Sequence, residues 1–350
     1  MSLEKADSST LSVGAKTIRS PVKPRVTILG LLATNGLLLL TILLAIVFSI
    51  LLPTTFPTVF TVQSILVTKS ISALLAFAVM IPLVTNQFDL SVGYTIGLTH
   101  ILAIGLQVRS GIPWELTVLI VLLVGGMIGL INGILVDVAG IDSFIATLGS
   151  GTIAYSLANW YTNGQQVFGK LPHGFILING ATVLGIPMPA IYVLILSFIL
   201  WITLEFLPVG RYMYVIGSNP RAADLAGIPR RRYIIGAFTA SGLITALAGI
   251  TLASQLQVGQ SNIGPDYLLP AFVGALLGST TIKPGRVNVW GTIIAVLILA
   301  IGISGIQQFG GAFFVEPLFN GTTLVVAVGV AAYAARRRLR ADRAREAHQS

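Results

Sequence analysis

The 350-residue chain contains no cysteine and only three histidines, His100, His173 and His348. The first absence excludes disulfides, thiolate metal sites and a cysteine nucleophile. The second, with the three rings far apart in sequence, leaves no histidine-rich metal site. Charge is scarce too. Asp, Glu, Lys and Arg make up 9% of positions, where a soluble domain carries about 25%. Hydrophobic residues, by contrast, reach 55%. The composition is that of an integral membrane protein. Nothing suggests a barrel, and backbone groups in hydrocarbon must bond within their own segment, so an all-α membrane fold is expected.

The net charge of +9 is unevenly spread. Basic residues gather in an N-terminal stretch (Lys5 to Arg25), in a central island (Arg211, Arg221, Arg230, Arg231, Arg232), at Lys283 and Arg286, and in a tail from Arg336 to Arg345. Such clusters mark cytoplasmic segments of a polytopic protein, and no nucleic-acid partner is implied. Apolar segments of spanning length, about 20 residues, lie near 27–52, 63–84, 116–139, 188–207, 233–254, 290–308 and 319–335. Shorter or broken ones lie near 92–107, 143–160 and 266–282. About ten transmembrane helices result, with both termini cytoplasmic. The island then follows the sixth span, Lys283 and Arg286 the eighth, and the basic tail the tenth, all on one side. The expected divisions are an N-tail over 1–26, a polytopic transmembrane domain over 27–335 with a cytoplasmic loop at 209–233, and a C-tail over 336–350. The first apolar run exceeds a signal-peptide core and no small-residue cleavage site follows it, so an uncleaved first span is expected. Glycines within spans, among them Gly125, Gly126, Gly129 and Gly133, are read as packing seams between close helices.

The island from Gly210 to Tyr233 carries the grammar of a short helix. Asn219 is a good N-cap, Pro220 suits the first helical position, Gly227 supplies a left-handed stop and Pro229 prevents continuation. A helix over Pro220 to Ala226 is expected outside the bilayer. Too short to stand alone, it needs a partner surface.

Polar groups inside the apolar regions are few. Asn86-Gln87-Phe88-Asp89-Leu90-Ser91 interrupts the sequence between the second and third spans, and a carboxylate there must be paired, hydrated or functional. Two readings stay open: a broken helix whose freed backbone lines a substrate path, or a turn in which Asp89 caps the next helix. Lys69 is read as snorkelling to the interface, with pairing to Asp89 or Asp266 as the alternative. Asp137 and Asp142 are read as helix caps, Glu205 as a partner of the basic island and Asp266 as an N-cap. Gln307 and Gln308 could bond across helices or meet hydroxyls. Gly164 to Leu171 approaches a phosphate-binding loop, but Leu171 stands where the magnesium-binding hydroxyl belongs and no strand precedes it, so it is rejected as a nucleotide site. No catalytic constellation is evident, and no chain of intramembrane carboxylates offers an ion relay. Energy supplied by a partner is therefore expected.

Four ordered segments resemble one family, the permease subunits of bacterial ABC importers for ribose, xylose, arabinose and related sugars. They are Asp89-Leu90-Ser91-Val92-Gly93; Ser143-Phe144-Ile145-Ala146-Thr147-Leu148-Gly149 with Thr162-Asn163-Gly164-Gln165; the island, with Ile216-Gly217-Ser218-Asn219 and Ala222-Ala223; and Gly285-Arg286 with Trp290-Gly291-Thr292. The resemblance implies a multi-pass permease of the bacterial inner membrane that works with a second permease copy. It further implies a cytosolic ATPase, which holds ATP and Mg, and an extracytoplasmic sugar-binding protein; no cofactor is expected on this chain. Arg211, Gly217, Asn219, Pro220, Arg221, Ala222, Ala223, Asp224 and Gly227 would then couple to the ATPase. The candidate substrate route comprises Asn86, Gln87, Phe88, Asp89, Ser91, Asn163 and Gln307. Asn86-Gln87-Phe88 replaces the family's usual Gly-Gly-Ile, adding two amides and an aromatic suited to a polyol. The alternative is a secondary transporter driven by an ion gradient through Asp89, Lys69 and Asp266.

Overall fold

The computed structural model of the chain describes residues 28–311, 314–326 and 329. The N-tail over 1–26 and the C-tail over 336–350 lie outside the described residues. Among the described residues a helix lies in each expected apolar segment: α1 (Ile28–Leu51), α2 (Val59–Val84), α3 (Val92–Val108), α4 (Trp114–Asp137), α5 (Ser143–Thr162), α7 (Met188–Glu205), α10 (Arg230–Leu256), α11 (Pro265–Gly278) and α12 (Val289–Gln308), then α13 over 315–326, which reaches the described part of the segment expected at 319–335. Five of them, α2, α4, α7, α10 and α12, are long and apolar enough to cross a membrane.

The bundle is built round α2. Every residue from Ser70 to Pro82 is buried, so this helix is apolar on all sides and packs on all sides. Around it the helices meet through glycine. A Cβ on Gly129 of α4 would stand 2.1 Å from the Phe238 carbonyl of α10, and one on Gly242 of α10 would stand 2.1 Å from the Gly125 carbonyl. With no side chain at these positions the two backbones touch. The glycine run reads as a packing seam in the structure as it did in the sequence.

The connection from Tyr161 to Pro187 is folded onto the bundle. Val167 makes an isolated bridge with Gly259. The short α6 (His173–Gly180) drives Phe175, wholly buried, into a cluster with Ile104, Val121 and Ile250. Ser254 on α10 holds it there, its hydroxyl donating to the Phe175 carbonyl (2.8 Å) and accepting from the Asn179 N–H (2.9 Å). A two-residue hairpin follows, β1 (Thr182–Val183) and β2 (Ile186–Pro187). Leu184 and Gly185 both have positive φ, +53° and +82°, as a tight hairpin turn requires. This hairpin lies at the start of α2, where Gln63 Nε2 donates to the Gly185 carbonyl (2.9 Å). The opposite end carries α8 (Pro208–Ser218) and α9 (Pro220–Leu225).

Candidate functional site

At that second end, α9 has the expected caps. The Asn219 side chain accepts from the Ala222 N–H (3.0 Å), and Gly227, at φ +70°, turns the chain out. The Gly227 and Ile228 N–H groups close on the Asp224 and Ala223 carbonyls (both 3.0 Å). The helix ends at Leu225, with Ala226 as its C-cap. It is not free-standing. Ala223 is wholly buried against Ile216, Ile234 and Phe238, and Asp224 is paired with Arg230 (3.1 Å). Of the residues read as a docking set, Arg211, Asn219, Pro220, Arg221, Asp224 and Gly227 are exposed. Ala223 faces inwards and Ala222 is half-buried. The most exposed large apolar side chain of the segment is Leu225, at 87%, which the sequence reading passed over.

Gly217 also turns inwards. A Cβ there would stand 2.2 Å from the Val84 carbonyl and 3.2 Å from the Asn86 nitrogen. α8 thus bears directly on the point where α2 breaks. On its other side, Tyr214 donates to the Val287 carbonyl (2.7 Å) and lies under the Arg286 guanidinium, 3.4 Å from the ring centroid. Burial pushes the Tyr214 phenol above its ordinary value, and Arg286 works the other way. Glu205 meets Lys283, not the basic island. Lys283 stands at the start of the turn that Arg286 ends.

The break itself is fully tied down. Asn86 takes φ +60°. The Phe88 N–H donates to Ser143 Oγ (3.1 Å) and the Leu90 N–H to Thr147 Oγ1 (3.0 Å), both on α5. Asp89 is 1% exposed. Its Oδ1 accepts from the Ser91 N–H (3.1 Å) and hydroxyl (2.5 Å), and its Oδ2 from Ser241 Oγ of α10 (2.7 Å). Asn132 of α4 then donates to Ser91 Oγ (2.9 Å). One carboxylate therefore joins the start of α3 to α10 and, through Ser91, to α4. Asp89 does not cap the next helix, since Ser91 is the N-cap of α3; the carboxylate instead closes on Ser91 in the turn before it. Phe88 is exposed and stacks on Phe272 at a centroid distance of 6.4 Å.

The candidate route residues do not come together. Asn86, Gln87, Phe88, Asp89 and Ser91 share the break. Asn163 caps α5 at its far end with φ +54°, about 30 Å along that 20-residue helix. Gln307 sits exposed in the last turn of α12, the end of that helix away from the Tyr214–Val287 bond. Three other expectations are corrected or sharpened. Lys69 pairs with neither Asp89 nor Asp266: its ammonium bonds Glu316, in the first turn of α13, at 2.5 Å. Asp266 is not the N-cap of α11, a place that Gly264 takes; it stands in the first turn, lining a cavity with Lys69 and Glu316. Asp142 does cap α5, accepting from the Phe144 and Ile145 N–H groups. Sequence reasoning missed Glu316, which the unpaired Lys69 should have demanded, and Ser241, which a buried Asp89 should have demanded.

Among the described residues, no group of three or more His, Asp or Glu side chains could hold a metal ion. A helical bundle sealed by glycine seams, with a break at one end, α8 bearing on that break and the capped α9 following it, fits a multi-pass membrane permease. Residues 61–332 match the family described as branched-chain amino acid transport system / permease component, and the chain belongs to that family. It is 33% identical over 300 residues to the ribose import permease protein RbsC of Bacillus subtilis (strain 168), covering 85% of this chain and 92% of the relative. It is 32% identical over 262 residues to the autoinducer 2 import system permease proteins LsrD of Escherichia coli (strain K12) and Shigella flexneri, covering 73% of this chain and 78% of each. No solved structure matches the chain. The protein is a permease of the inner membrane.

Proposed function

We propose that this chain is the translocation subunit of an ATP-driven importer for a monosaccharide or related polyol. It pairs with a second permease copy, a cytosolic ATPase that holds the nucleotide and hydrolyses it, and an extracytoplasmic binding protein that delivers the solute. About ten helices cross the membrane, and both termini are cytoplasmic. The named substrates of the relatives, ribose among them, support a sugar. One observation carries the coupling role: α9 is anchored inwards by Ala223 while Leu225 stands out beside Arg221. An apolar knob with a charge next to it, on a rigid capped turn, is suited to a cleft in a partner protein. Displacement there reaches the break through Gly217 and the Val84 carbonyl, because backbone in contact with backbone cannot yield. The ion-gradient alternative finds less support. Lys69 is satisfied by Glu316, and about 22 Å of helix separates Lys69 from the end of α2, beyond which Asp89 lies.

The test uses the chain's lack of cysteine. Leu225→Cys in native membranes is expected to cross-link to a cytosolic ATPase, and uptake into sealed vesicles is expected to require ATP. Uptake that persists without ATP and fails when ion gradients are collapsed would refute the importer reading.

A further inference from the structure

Two contacts, not one, hold α8 against the bundle. Gly217 meets the carbonyl of Val84, the last residue of α2. One helical turn earlier, Tyr214 meets the connection between α11 and α12. Its hydroxyl donates to the Val287 carbonyl (2.7 Å), and the Arg286 guanidinium stands 3.4 Å over its ring. Neither Tyr214 nor Arg286 belongs to the outward face of α9 or to the break.

That connection is built as one stiff piece. Asn288, 4% exposed, sends its side-chain NH2 group to the carbonyls of Gly278 (3.2 Å), Thr281 (3.1 Å) and Arg286 (3.0 Å). Its Oδ1 accepts from the Gly291 N–H (2.8 Å), so the same amide closes the turn on the end of α11 and caps the start of α12. The Gly285 N–H returns to the Ser279 carbonyl (2.9 Å), and Lys283 pairs with Glu205 of α7. Inside this frame Ile282 is held at φ +61°, a conformation that β-branched residues resist and that persists only where the surroundings over-determine it. A turn tied at so many points passes a push on instead of bending under it. Beyond it the helices are in backbone contact. A Cβ on Gly291 would stand 2.1 Å from the Gly278 carbonyl, and one on Gly264, at the start of α11, would stand 2.1 Å from the Gly93 carbonyl of α3. The two contacts of α8 therefore lead to one pair of helices, to α3 through the break and to α11 through the turn.

We propose that Tyr214 and Arg286 are positioning residues that give the coupling segment a second output. Displacement of α8 passes through them to the 279–288 turn, and so to α11 and α12, while Gly217 passes it to the break. Joined at Gly93 and Gly264, α3 and α11 are then driven together, each from its own connection. The proposal rests on the importer reading and adds to it how the signal received at α9 is divided within the chain.

Amide hydrogen exchange read by mass spectrometry tests this on the complex that the full chain retains when purified gently from native membranes. Exchange is compared without nucleotide and with ATP, Mg and orthovanadate in three segments: α8 with α9, the break at 84–91, and the turn at 279–288. In the wild type all three are expected to change, the turn by about tenfold in rate. With Tyr214→Phe and Arg286→Gln together, α8, α9 and the break are expected to keep their response, while that of the turn falls below about twofold. Should the double variant fail to assemble, Tyr214→Phe alone decides; it keeps the ring under the guanidinium and removes only the bond to Val287, and a loss of about threefold at the turn is expected. A turn that exchanges faster in the variant but keeps its full nucleotide-dependent ratio marks a merely structural tie and overturns the proposal. So does a wild-type turn that stays silent while the break responds, an outcome that leaves the importer standing. If the break falls silent along with the turn in the variant, the two contacts are a single lever and a separate output is refuted. A wild type in which no segment responds refutes the importer reading, and the proposal with it.

Discussion

Asp89 shows how much one side chain can organise. Its two oxygens take three donors from Ser91 and Ser241, none of them from solvent. Replacing it with alanine strands all three in a place where water cannot serve them. Asp89→Ala is expected to cost about 3 kcal/mol and Ser241→Ala about 1 kcal/mol. Thermal unfolding in detergent should rank them in that order, and equal losses would mean that Ser241 finds another partner or that the carboxylate matters only to α3. The sequence made Asp89 visible as a costly group but not its second donor. Ser241 lies 152 residues away, a separation that no local pattern bridges. Asn219 and Gly227 were legible for the opposite reason, since a cap and a left-handed stop act within a few residues of themselves. Gly217 belongs between these cases: its need for close approach could be suspected, but not that the neighbour is the Val84 carbonyl.

Helix lengths and positions came through well from hydropathy because the bilayer imposes them. What hydropathy could not give is which helix stands at the centre. α2 and α7 have equal mean hydropathy, 2.0 over their best windows, yet 67% of one window is buried and only 28% of the other. Lipid and protein interior are equally apolar, so hydrophobicity does not separate them. Glycine placement does. Gly129→Ala puts a methyl 2.1 Å from the Phe238 carbonyl and is expected to force α4 from α10 at about 1–3 kcal/mol. Gly149→Ala on α5, where a Cβ meets nothing within 4 Å, should be neutral or gain up to about 1 kcal/mol from helix propensity. A lowered melting temperature for the first and not the second is the expected result, and loss in both would deny the seam its part. α6 was hidden from sequence because Phe175 looks like any apolar residue in a short connection until α10 and α4 are there to receive it.

For the molecule as a whole, the pairing of Lys69 with Glu316 has a bearing on manufacture. The two residues are 247 positions apart. A ribosome working at about 5–20 residues per second needs roughly 12–50 s to travel between them. For all that time the ammonium must enter the bilayer, or wait at its edge, without the carboxylate that satisfies it. On an insertion scale a lysine at mid-helix costs about 2.5–3.5 kcal/mol, so the helix that becomes the central pillar is the one least at ease during synthesis. A chain stopped after residue 311 never receives the carboxylate. In pulse-chase labelling it is expected to be degraded faster than the full chain, and Lys69→Leu in the shortened chain should restore much of its lifetime. No restoration would mean that the nascent helix finds another counter-charge. If the lifetime returns, α13 is a quality seal: the pillar is accepted by the membrane only once Glu316 has been made.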